Sequence, residues 1–322
     1  MPSFRDEPDF ARIISDAADA LGVVRAFVEK DYWVTQVLRT LHLAFPGQFI
    51  LKGGTSLSKG HGIIERFSED VDILVVPRTD HSASTAETRL RAMIAGTAAG
   101  LGLEWSEDRV PGRGVNASRG DVIRYPVTED ATGLRSGLRT DGILLETGFA
   151  GGLSPSVMCP VTALVGTLPG IRSEDYEDLN PFDLEMLEPR RTLIEKCAGL
   201  HQLASSWSEG SPPTDTRFGR HYYDIYQILG HQRTIAGLAD RREFSIIVED
   251  VAHISADHYG ATAPRPEGGY GASLAFQPGH TGPLRDWLEA GYRESQILIA
   301  RTARPPSFGQ VLARVEEHAA LL

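Results

Sequence analysis

Two stretches of this 322-residue chain concentrate side chains whose types and spacing suit chemistry. The first is Leu51-Lys52-Gly53-Gly54-Thr55-Ser56-Leu57-Ser58-Lys59. The second is Arg66-Phe67-Ser68-Glu69-Asp70-Val71-Asp72, which runs into Ile73-Leu74-Val75-Val76. Adjacent glycines after an apolar run carry no Cβ, so backbone N–H groups can approach an anion, and the hydroxyls of Thr55, Ser56 and Ser58 add donors at a helix start. The pattern predicts a phosphate cradle with Lys59 close by, although it lacks the GxxxxGK[ST] spacing and the glycines alone also suit a tight turn. Asp70 and Asp72, two apart on an apolar strand, share one face and repel unless a cation lies between them. Mg²⁺ is the expected ion, with Mn²⁺ as the alternative, because it binds oxygen and takes few protein carboxylates, leaving positions for phosphate and water. A solvated strand entrance is the plain alternative. Glu146, in the apolar strand Ile143-Leu144-Leu145-Glu146-Thr147, is the candidate third carboxylate of a two-metal arrangement, unless it is an edge-strand residue facing water.

Only four of the 32 basic residues are lysine: Lys30, Lys52, Lys59 and Lys196. Generic cation positions here go to arginine, so each lysine draws notice as a compact point charge. Lys196 projects beside the apolar stripe Leu193, Cys197, Leu200, Ala204 and Trp207 and needs a counter-charge. A triphosphate would supply it, as would Asp224, which shares a helix side with Ile228; a lysine stem snorkelling over apolar surface is the other reading. Asp224 can pair with Lys196, orient it or take a proton from an acceptor.

The elements that must position these residues follow from periodicity. Helices are expected at Pro8–Leu21, Val24–Phe45, Thr55–Lys59 and Ser84–Leu103, and strands at Gln48–Lys52, Asp70–Val76, Asp121–Val127 and Gly142–Thr147. Beyond an acidic, turn-rich stretch from Pro169 to Pro189, helices are expected at Pro189–Trp207, Arg220–His231, Leu238–His258, Leu284–Ala300 and Phe308–Leu322. The chain therefore reads as an α/β (α+β) lobe with a mixed sheet over residues 1–168 and a mostly helical lobe over 169–322. With six glycines and four prolines, Gly260–Pro283 reads as a long mobile loop.

Composition excludes several classes. Two cysteines, Cys159 and Cys197, make no disulfide framework, no run is long and apolar enough to span a membrane, and the first residues lack the features of a signal peptide, so a cytoplasmic protein is expected. A net charge of −11 argues against a surface basic throughout. Within it, Arg109, Arg113, Arg119, Arg124, Arg135 and Arg139 outnumber Asp121, Glu129 and Asp130, a local patch suited to an RNA backbone or to surface hairpins of no special role. The histidines, including His42, His61, His201 and His221, show no metal-ligand spacing. Trp33 and Phe67 read as core.

Gly53-Gly54-Thr55-Ser56-Leu57-Ser58-Lys59 together with Arg66-Phe67-Ser68-Glu69-Asp70-Val71-Asp72 resembles the signature of the AbiEii/AbiGii-type nucleotidyltransferase toxins, a branch of the polymerase-β-like nucleotidyltransferases. Glu29-Lys30-Asp31-Tyr32-Trp33-Val34 resembles the family's N-terminal helix motif. Ile194-Glu195-Lys196-Cys197-Ala198 and Arg220-His221-Tyr222-Tyr223-Asp224-Ile225-Tyr226 resemble its two C-terminal motifs, so the likeness reaches to about Leu229.

The resemblance implies Mg²⁺-dependent transfer of a nucleoside monophosphate from an NTP to an acceptor hydroxyl, with release of pyrophosphate, by the toxin of a bacterial toxin–antitoxin or abortive-infection system. Gly53, Gly54 and Ser56 would hold the β- and γ-phosphates with Thr55 and Lys59 nearby, and Asp70 and Asp72 would bind metal, assisted by Glu146. Lys196 and Asp224, contributed to the cleft by the helical lobe, would position triphosphate and acceptor. The implied acceptor is the 3′ end of tRNA, whose modification blocks translation, and the implied partner is a cognate antitoxin encoded nearby. Transfer to a protein or small-molecule hydroxyl, and a GTP-binding regulatory module without transfer, are the alternatives.

Overall fold

Burial alternates along Asp70-Val71-Asp72-Ile73, so this segment is a strand with one face in a core and one face open. The computed structural model describes residues 1–68, 70–78, 82–108, 117–128, 142–209, 211–260, 263–299 and 303–322. Glu69, Arg109, Arg113, Glu129, Asp130, Arg135 and Arg139 lie outside the described residues. The chain forms two units. One comprises Met1–Gly62 and Phe67–Met186, and the other Ile63–Arg66, Leu187–Ile299 and Ala303–Leu322.

The first unit runs α1 (Phe10–Leu21), α2 (Arg25–Ala44), β1 (Phe49–Lys52), α3 (Gly53–Lys59), β2 (Asp70–Val75), α4 (Ala83–Leu101), β3 (Glu104–Glu107), β4 (Ser118–Arg124), β5 (Ile143–Gly148), β6 (Ser156–Val161) and β7 (Phe182–Leu187). The sheet is mixed, in the order β3-β4-β5-β2-β1-β7-β6. β2 runs antiparallel to β1 and parallel to β5, while β7 lies parallel to β1. Phe49, Leu51, Val71, Ile73, Val75, Ile143 and Leu145 point into a core shared with Leu38 of α2 and Leu90, Met93 and Ile94 of α4. α4 starts where Ser82 and Thr85 cap each other reciprocally, satisfying donors that the first helical turn leaves free.

Three strands, β3, β6 and β7, were not legible as individual strands. The main division between the two units falls at Met186/Leu187, inside the acidic stretch Pro169–Pro189, and part of that stretch is docked. Asp178, 8% exposed, accepts the Phe4 N–H at 2.7 Å and the Tyr32 hydroxyl at 2.5 Å, and β7 follows it into the sheet beside β1. A carboxylate buried that deeply is tolerated because hydrogen bonds replace its water.

The second unit holds α5 (Pro189–Ser205), α6 (Gly219–Leu229), α7 (Gln232–Leu238), α8 (Arg241–Tyr259), α9 (Pro283–Ser295) and α10 (Phe308–Glu317). Leu193, Cys197 and Leu200 of α5 and Tyr222, Ile225 and Ile228 of α6 are buried at helical spacing. Arg191, 1% exposed, bonds Glu195 at 3.0 Å and Asp250 of α8 at 2.6 Å, tying two helices together. Asp240 caps the start of α8 by accepting the N–H groups of Arg242 and Glu243, so α7 and α8 are separate helices.

Of the segment expected to be a mobile loop, the described residues 263–283 are pinned instead. His201 of α5 bonds the Ser273 hydroxyl and the Pro264 carbonyl, each at 2.9 Å, Gln202 accepts the Ala263 N–H at 2.9 Å, and the Tyr222 hydroxyl donates to the Ala275 carbonyl at 2.9 Å. Tyr270 and Phe276 are buried beneath these bonds. Glycine and proline content speaks to chain freedom, and long-range partners override it. Among the described residues, no helix is long and apolar enough to cross a membrane.

Candidate active site

The glycine turn and the acids meet. β1 ends at Lys52, and Gly53 at φ +71° opens α3 in a backbone region that other residues enter only with strain. A Cβ built on Gly53 would lie 2.6 Å from Asp72 Oδ2, so the Asp72 carboxylate rests directly on the glycine backbone. The Thr55 hydroxyl donates to the Asp70 carbonyl at 2.5 Å and fastens α3 to the acidic strand.

Register then adds the third acid. Cα partners across the sheet are Lys52 with Asp72 and Asp72 with Glu146, which sets all three on one face, and Asp70 joins them because it lies two residues from Asp72. Asp70, Asp72 and Glu146 are half-buried while Val71, Ile73 and Leu145 behind them are in the core. The donors are carboxylate oxygens on an open face, a set that fits a hard divalent ion such as Mg²⁺ sharing its coordination with phosphate and water. Among the described residues, no group of three or more His, Cys, Asp or Glu side chains converges into a metal cage.

The other candidates in this unit are committed elsewhere. Ser56, fully buried, donates to the Gly53 carbonyl at 2.9 Å, and Ser58 donates to the Thr55 carbonyl at 3.2 Å. These hydroxyls brace α3 rather than project as free donors. Lys59 Nζ sits 2.5 Å from Asp31 Oδ1 and donates to the Thr162 carbonyl at 3.1 Å, both side chains being largely buried. Of the arginine patch, Arg119 pairs with Asp121 at 2.9 Å and Glu107 at 3.0 Å, and Arg124 is exposed. Trp33 is core, while Phe67 is half-buried and stacks on Phe27 with centroids 4.7 Å apart.

In the helical unit, Lys196 and Asp224 form an ion pair at 2.9 Å, with Lys196 Nζ also 3.1 Å from His221 Nδ1. Arg66 completes the cluster with two parallel bonds to Asp224, Nε to Oδ1 at 2.6 Å and NH2 to Oδ2 at 2.7 Å. Asp224 is fully buried. Burial by itself would raise its carboxyl, but Arg66 and Lys196 overcome that and hold it well below the usual carboxylate range. Such an acid is a poor proton acceptor and a good anchor. Burial lowers the Lys196 ammonium, and burial together with Lys196 pushes His221 well below its ordinary value. Two cationic side chains, Arg66 and Lys196, thus share the Asp224 carboxylate. Arg66 was not singled out as a partner, since it stands 158 residues from Asp224 and no local pattern connects them.

Residues 36–313 match the family model described as nucleotidyl transferase AbiEii toxin, type IV TA system, which is most of the chain. This chain belongs to the AbiEii family. It is a nucleotidyltransferase toxin of a type IV toxin–antitoxin system. Comparison with curated proteins returns no match. Among solved structures, MenT4, a nucleotidyltransferase toxin from Mycobacterium tuberculosis H37Rv, is similar at 15% identity and a TM-score of 0.52, over 96% of this chain and 94% of that one. At that identity the likeness concerns the fold alone, an α/β architecture with a mixed sheet.

Proposed function

We propose that this AbiEii-family toxin transfers a nucleoside monophosphate from an NTP to the 3′ end of tRNA in a Mg²⁺-dependent reaction, releasing pyrophosphate. The observation that carries this reading is the Asp72 carboxylate seated on the Gly53 turn, with Asp70 and Glu146 on the same open face. A polyphosphate reaching the turn meets the half-buried Gly53 beside the Asp72 carboxylate, and the acids stand where its charge must be balanced. A divalent ion held by Asp70 and Asp72, with Glu146 assisting, would neutralise the polyphosphate and activate the attacking hydroxyl.

Thr55 and Ser56 serve by fixing α3, through the Asp70 and Gly53 carbonyls. Within the helical unit, Asp224, itself held by Arg66, orients the Lys196 ammonium. A cognate antitoxin is the expected protein partner. The acidic balance of the chain, −11, keeps a protein or small-molecule acceptor as the second reading.

The test is pyrophosphate release and label transfer from each of four labelled NTPs with Mg²⁺ and total tRNA, with and without RNase. The expected result is RNase-sensitive label and its loss in Asp72→Ala. Full transfer by Asp72→Ala refutes the acid site. Label that survives RNase in a protein band moves the acceptor to protein, and NTP binding without pyrophosphate release refutes transfer altogether.

A further inference from the structure

α2 buries three consecutive charged residues, Glu29 at 3%, Lys30 at 1% and Asp31 at 6% exposure. Burying charge is costly, and side chains kept inside a core are held by specific partners. Glu29 receives the Thr128 N–H at 2.9 Å and its hydroxyl at 3.0 Å. Asp31 divides its two oxygens: Oδ1 takes the Lys59 ammonium at 2.5 Å, and Oδ2 takes the Leu164 N–H at 2.7 Å. Lys59 in turn donates to the Thr162 carbonyl, two residues before Leu164.

Lys59 is the last residue of α3, and Gly53 is its first. A seven-residue helix is about 10 Å of rigid rod. Its front end is fastened to β2 by Thr55 on the Asp70 carbonyl, and its rear end to α2 and to the segment after β6 by Lys59. Were the rear end free, the rod would pivot about the Thr55 bond and lift Gly53 from Asp72. The Lys59 ammonium, spent on Asp31 and Thr162, is not presented to a polyphosphate.

We propose that Asp31 is a positioning residue for transfer, acting through its buried ion pair with Lys59 to hold α3 and so to seat the Gly53 turn on Asp72. This rests on the reading of the acid site given above. Asp31 touches neither substrate nor metal, and Lys59 serves the reaction as a strut rather than as a phosphate ligand.

Steady-state kinetics of Asp31→Asn, Lys59→Met, Lys59→Arg and the double variant Asp31→Asn/Lys59→Met test it, together with hydrogen exchange of the amides of residues 53–60. A strut predicts that kcat falls roughly tenfold to hundredfold with KM for NTP within about threefold, since misplacement by about 1 Å slows the chemical step rather than weakening binding. It also predicts that the double variant is no worse than the poorer single, that exchange at 53–60 rises while the helical unit is unchanged, and that Lys59→Arg keeps most of the activity. The double variant leaves no uncompensated charge, so it folds where a single one fails.

A rise in KM with kcat and exchange unchanged would make Lys59 a phosphate ligand and overturn the proposal, as would wild-type kcat in the double variant. Wild-type protein that releases no pyrophosphate with any NTP sinks the underlying reading instead.

Discussion

Gly53→Ala should separate backbone strain from site disruption. Gly53 sits at φ +71°, where a side chain costs roughly 1–2 kcal/mol. Gly47, at φ +66° with nothing within 4 Å of an added Cβ, would incur the same strain with no collision, and Gly47→Ala is therefore the control. At Gly53 the new methyl lies 2.6 Å from Asp72 Oδ2, so to restore an ordinary 3.4 Å contact the carboxylate must retreat by roughly 0.8 Å. Displacement of that size at a reacting centre costs on the order of 100-fold in rate. Both variants should lose similar stability, a Tm drop of roughly 2–8 °C for a domain of this size. Pyrophosphate release should fall about 100-fold in Gly53→Ala and stay near wild type in Gly47→Ala. Gly53→Ala with activity within threefold of Gly47→Ala would refute the claim that this turn positions the acid.

Arg66→Ala should destabilise the helical unit by about 3–5 kcal/mol in urea unfolding, because it strips one cation from a fully buried carboxylate, whereas Arg66→Lys should cost less. Because His221 is depressed in the folded state, the unfolded chain binds the extra proton first. The stability that neutral His221 contributes is then present above about pH 6.5 and declines as pH falls below it, and His221→Gln should flatten that part of the pH–stability curve. His201→Ala should loosen residues 263–282, read as faster limited proteolysis there with α5 still intact, and unchanged cleavage would mean that buried Tyr270 and Phe276 suffice.

Much of the geometry of the candidate acid site was legible because it is local. The apolar run before Gly53-Gly54 and the period-two placement of Asp70 and Asp72 are properties of neighbouring residues, so strand, turn and shared face follow from sterics and side-chain alternation. The described helices of the second unit other than α7 were legible for the same reason, down to Pro189 opening α5. Glu146 was named from an unexplained carboxylate in an apolar strand, but that it stands beside Asp72 is a matter of parallel register between β2 and β5.

What the amino-acid order determined, then, is most of the helices, the strands β1, β2, β4 and β5, and the shared face of Asp70 and Asp72. What only the tertiary structure decided is who pairs with whom: Lys59 with Asp31, Arg66 with Asp224 across 158 residues, and β7 beside β1. The hydroxyls of Thr55, Ser56 and Ser58 belong to this second class, since a donor near a helix start suits a ligand or a carbonyl equally until packing brings the carbonyl to it. Periodicity is set by backbone geometry and read within a few residues, whereas the partner of a buried charge is whichever group the fold places within hydrogen-bond reach once water is gone.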